Sequence, residues 1–76
     1  MTERSQPNSA TLGEALPKEM ARVRDELIPE YLSIGPASGF AVMMMRRSLD
    51  RAAIAMAEGD LLAMIAAYKE LKDYQS

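Results

Sequence analysis

The sequence predicts an all-α domain of three helices, the last two folded back on each other as an antiparallel hairpin. Three observations carry that reading. Apolar residues recur at spacings of three and four along most of the chain, the period of one helix face. Gly35-Pro36 and Glu58-Gly59-Asp60 interrupt the pattern with residues that end one helix and start the next. No stretch alternates apolar and polar residues as a half-buried strand does, and valine occurs only at positions 23 and 42.

Residues 1–13 are polar and rich in Ser, Thr, Asn, Gly and Pro, so they read as a disordered tail with little to bury. A single helical domain then spans 14–76, with helices predicted at about 16–32, 37–58 and 61–73. Leu16-Pro17 reads as the start of the first, because proline suits the first turn, where its missing N–H is not needed. Met20, Val23, Leu27 and Tyr31 form its apolar face, and Arg22 with Glu26 offers an i,i+4 pair on another. Pro29 is expected to end or kink this helix near Ile28, with Glu30–Ser33 as a further turn.

The second helix has apolar residues on two sides. Val42, Met45, Leu49, Ala53 and Met56 form one stripe; Phe40, Met43, Met44 and Ile54, flanked by Arg47 and Arg51, lie almost opposite. A helix apolar on both sides is expected to lie between two partners. Gly59 suits a left-handed C′ position, and the Asp60 carboxylate suits the N-cap of the third helix. That helix places Leu61, Met64, Ile65, Tyr68 and Leu71 on one face, and Lys69 and Lys72 near its C-terminus match the helix dipole.

Composition narrows the function classes. A chain of 76 residues holds at most one small, marginally stable domain. It contains neither cysteine nor histidine, which removes disulfides, the common catalytic triads and most transition-metal sites. Its net charge of −2 gives no electrostatic footprint for nucleic acid. The apolar runs Phe40–Met45 and Leu61–Tyr68 fall well short of the roughly 18–20 residues that span a bilayer. The N-terminus lacks a secretory signal pattern, so a cytoplasmic protein with no membrane association is expected.

The hairpin locally resembles one tetratricopeptide helix pair: Tyr68 lies nine residues past Gly59, and Ala52 and Ala55 fall where two helices pack closely. It departs from that family at Met64, where alanine is preferred, in lacking a closing proline, and in having no second copy at a 34-residue period. A generic αα-hairpin is the better reading. As a helix-turn-helix it would need a polar, basic second helix, and Leu61–Ala67 is apolar throughout.

Met43-Met44-Met45-Arg46-Arg47 is the most unusual pentapeptide. Consecutive residues on a helix point about 100° apart, so three methionines cannot line one Cu(I) site; core filling or an adaptable protein interface fits better. Arg46, Arg47 and Arg51 give the second helix local basic character, with Asp50 spaced to pair with Arg46 and Arg47. Asp25, Glu26, Glu30 and Asp50 are the carboxylates available for acid–base work, and no neighbour marks any of them for it. Gly35–Gly39 could cradle an anion at a helix start but lacks the ending of a phosphate-binding loop.

No catalytic residue, cofactor or metal is predicted. The expected function is that of a small, non-enzymatic interaction or regulatory factor. Its candidate surface is Phe40, Met43, Met44, Arg47, Arg51 and Ile54. A homodimer or a protein partner is the expected company, with charge substitution at Met44 expected to break assembly. The alternative is a nucleic-acid-associated accessory protein using Arg46, Arg47 and Arg51. Through Tyr31–Ala37 and the Glu-Gly-Asp hairpin, the chain also resembles small helical proteins of unassigned function from bacteria and prophages, a resemblance that implies no activity.

Overall fold

The computed structural model describes the backbone of residues 9–75 and the side chains of residues 11–75. Helix α1 spans Ser9–Arg22, α2 Ile28–Ile34, α3 Gly39–Glu58 and α4 Leu61–Lys72. A π-helical turn, Val23–Leu27, joins α1 to α2, so these two form one helical rod. The fold is therefore all-α with three helical rods, and no strand occurs among the described residues.

The first rod starts earlier than the sequence suggests. Residues 1–8 of the expected tail lie outside the described residues, but Ser9–Gly13 are already helical, and Leu12 is only 1% exposed. Pro17 consequently sits inside α1 and leaves the Gly13 carbonyl without its i+4 donor. An interior proline costs about 3 kcal/mol. Burying Leu12 and Leu16 contributes roughly 3–6 kcal/mol in all, enough to carry the helix past it.

Pro29 acts as a local widening rather than a helix end. The Ile28 N–H donates to the Val23 carbonyl, five residues back, so the turn before Pro29 is broadened. This relieves the clash of a proline ring with the carbonyl four residues before it. It also turns the consecutive residues Leu27 and Ile28 both into the core.

Gly35 ends the rod at φ 121°, ψ −170°, a conformation open to glycine alone. A 3₁₀ turn, Pro36–Ser38, leads into α3; the Ser38 hydroxyl donates to the Gly35 carbonyl at 2.8 Å. At the other end of α3 the Asp60 N–H reaches the Ala55 carbonyl and the Gly59 N–H the Met56 carbonyl, with Gly59 at φ 66°. This is a Schellman closure. Asp60 then accepts from the Ala63 N–H through Oδ1 at 3.2 Å, as an N-cap should.

The core lies where α1 packs on α4, α2 and the π turn on α3, and α3 on α4. It is filled by Leu12, Leu16, Val23, Leu27, Ile28, Val42, Met45, Ala52, Ala67 and Leu71. Along α3 the buried line is Val42, Met45, Ser48, Ala52 and Ala55, with Leu49 and Met56 at its margin. Ala53, expected within that stripe, faces solvent, and the small residues Ala52 and Ala55 allow close approach of the neighbouring helices. On α4, Ala67 and Leu71 are buried, whereas Leu61 is exposed.

Candidate functional site

The second apolar face of α3 stays uncovered. Phe40 is 70% exposed, Ile54 56% and Met43 49%. Residues 40, 43, 47 and 54 fall within one narrow angular sector of a helix, so these side chains share a face with Arg47. The first rod packs on the opposite side, against the Val42–Ala55 line. An exposed phenylalanine with two aliphatic neighbours along a 20-residue helix is the kind of patch that marks an interaction site.

The six candidate residues do not all belong to that face. Met44 is half-buried at its edge. Arg51 is exposed, near the angular position of Phe40 on the helix, but also engages α4: its guanidinium pairs with the Glu70 carboxylate and lies 3.4 Å from the Ser48 hydroxyl. The hydrogen bond to Glu70 raises the Arg51 pKa further. Arg47 and Arg46 are exposed, and among the described residues neither forms the expected ion pair with Asp50. Met43, Met44 and Met45 stand in three environments, exposed, half-buried and buried, as three consecutive helical positions must.

A second polar cluster closes the fold and was not legible in the sequence. Arg22 donates at 3.0 Å to the carbonyls of Leu71 and Tyr74 and pairs with Glu19 at 3.0 Å, in place of the Glu26 pair its spacing suggests. The Tyr31 hydroxyl donates to the Gln75 carbonyl at 2.7 Å. Ser48, fully buried in α3, shares a 2.9 Å hydrogen bond with the Tyr74 hydroxyl. Three elements thus hold residues 71–75. A polar hollow beside them is lined by Glu19, Arg22, Lys72, Tyr74 and Gln75. The chemistry of this cluster is that of a clasp: its carbonyls and hydroxyls are used within the fold.

Asp25, Glu26, Glu30 and Asp50 are all exposed. Hydrogen bonds from Arg24, at 2.9 and 3.0 Å, hold the Asp25 carboxyl below the usual carboxylate range. No three acidic groups among the described residues come together as a metal site. No described helix is long and apolar enough to cross a membrane. No protein-family model, curated protein or solved structure matches this chain.

Proposed function

We propose that the chain is a small, non-enzymatic interaction or regulatory factor that binds another protein chain through the outer face of α3. The observation that carries this reading is the joint exposure of Phe40, Met43 and Ile54 on the side of α3 facing away from the core. Leaving three such side chains in water forgoes roughly 1.5–3 kcal/mol each, a cost that a partner removes. The nucleic-acid alternative draws on Arg46, Arg47 and Arg51, and Arg51, though exposed, already faces the Glu70 carboxylate, which offsets part of its charge.

The test is to substitute Phe40→Asp and Ile54→Asp separately and follow self-association and affinity capture beside the wild type. Both variants are expected to keep their helix content by circular dichroism and to lose association. Wild-type association untouched by either substitution would contradict the reading. Salt-dependent binding to RNA or DNA, lost in Arg46→Glu and Arg47→Glu, would support the alternative instead.

A further inference from the structure

The exposed face of α3 carries a pattern finer than an apolar patch. Phe40, Met43, Arg47, Asp50, Ile54 and Ala57 follow one another at spacings of 3, 4, 3, 4 and 3, the a and d positions of a heptad seam. All six are exposed. The seam is apolar at both ends and charged at its centre, with one cation and one anion.

We infer that this seam binds a second copy of the chain, α3 against α3, antiparallel, with a two-fold axis between Ser48 and Leu49. This deepens the interaction reading and rests on it. In an antiparallel pair each a residue faces a d residue of the partner chain. Reversing α3 about that axis sets Arg47 against the position of Asp50, Met43 against that of Ile54, and Phe40 against that of Ala57. By symmetry each of these contacts occurs twice. Every layer is then complementary: cation with anion, two mid-sized apolar side chains, and the largest side chain with the smallest.

A parallel pair has none of this. It sets Arg47 against Arg47, Asp50 against Asp50 and Phe40 against Phe40, which juxtaposes like charges and crowds one end while leaving a gap at Ala57. A charged residue at a seam position lowers affinity but fixes register and orientation. Arg51, beside the seam, is drawn toward Glu70 on α4 and does not add to the positive charge at the centre. Antiparallel packing also brings unlike ends of α3 together.

Charge reversal tests orientation and partner at once. Sedimentation equilibrium across the micromolar range is expected to show a wild-type dimer. Arg47→Asp and Asp50→Arg should each weaken it about tenfold or more, because each places like charges in both central layers. The double variant R47D/D50R should restore dimerisation, since the cation and anion have only exchanged places. Circular dichroism on each variant checks that the exposed substitutions leave the fold intact. A folded wild type that stays monomeric throughout this range overturns the second copy as occupant; the broader interaction reading then stands or falls on Phe40→Asp and Ile54→Asp. A dimer indifferent to both single reversals, or not restored by the double one, overturns the antiparallel register.

Discussion

At Arg22 one guanidinium group joins α1 to the end of α4 and the residues after it, donating to the carbonyl of Tyr74 and to that of Leu71, which also accepts from the Tyr74 N–H. Hydrogen bonds from a charged donor are worth about 1.5–3 kcal/mol each when made in a partly buried site. Arg22→Ala should therefore lower stability by about 1–3 kcal/mol, read as a fall in the urea midpoint at unchanged slope. Lysine at this position should recover only part, because a single ammonium cannot reproduce the planar fork. Asp25 gives a pH prediction of known sign. Its pKa in the folded chain is lowered by Arg24, so its contribution is present above the unfolded-state pKa. It is lost as pH falls through the folded value. Both partners are well exposed, so the contribution is small and salt-sensitive. Asp25→Asn should shrink the acid-side loss of stability at low salt and have little effect at high salt. The contacts of Arg22, Tyr31 and Ser48 with residues 71–75 could not be read from spacing, because those partners lie 26 to 52 residues away.

Turns and helix ends were far more legible than side-chain pairs, since their chemistry is local. Gly35, Gly59 and Asp60 each occupy the position their residue type favours, and they set the bounds of α3 and the start of α4. Two glycines at these ends separate by conformation alone. A Cβ at Gly59 or at Gly39 would meet no neighbour within 4 Å, so backbone angle decides the outcome. At Gly59, φ 66° is strained for alanine, and Gly59→Ala should cost about 1 kcal/mol. At Gly39, φ −57° is ordinary helix, and Gly39→Ala should stabilise by about 0.5 kcal/mol, the two signs being compared in one urea series. The prolines were less legible. Pro17 and Pro29 read as a start and a stop, yet both are absorbed into one rod. Tertiary burial of Leu12 and Leu16 outweighs the first, and a π turn accommodates the second.

Across the whole molecule, the two-sided apolar pattern of α3 explains both the core and the surface. Its inner line packs against the first rod and α4; its outer line has no partner among the described residues. The sequence was enough to separate these two sides and to name Phe40, Met43 and Ile54. It could not show that the exposed Arg51 pairs with Glu70, which lies 19 residues away on the next helix. The chain contains no cysteine, so thiols can be placed at will and any cross-link reports only the intended pair. The most direct measurement mixes a Met43→Cys chain with an Ile54→Cys chain and treats the mixture, and each chain alone, with a short thiol cross-linker. Antiparallel pairing on this face predicts a covalent dimer in the mixture and little in either chain alone. Dimers in each single-variant sample, or none in the mixture, would contradict it.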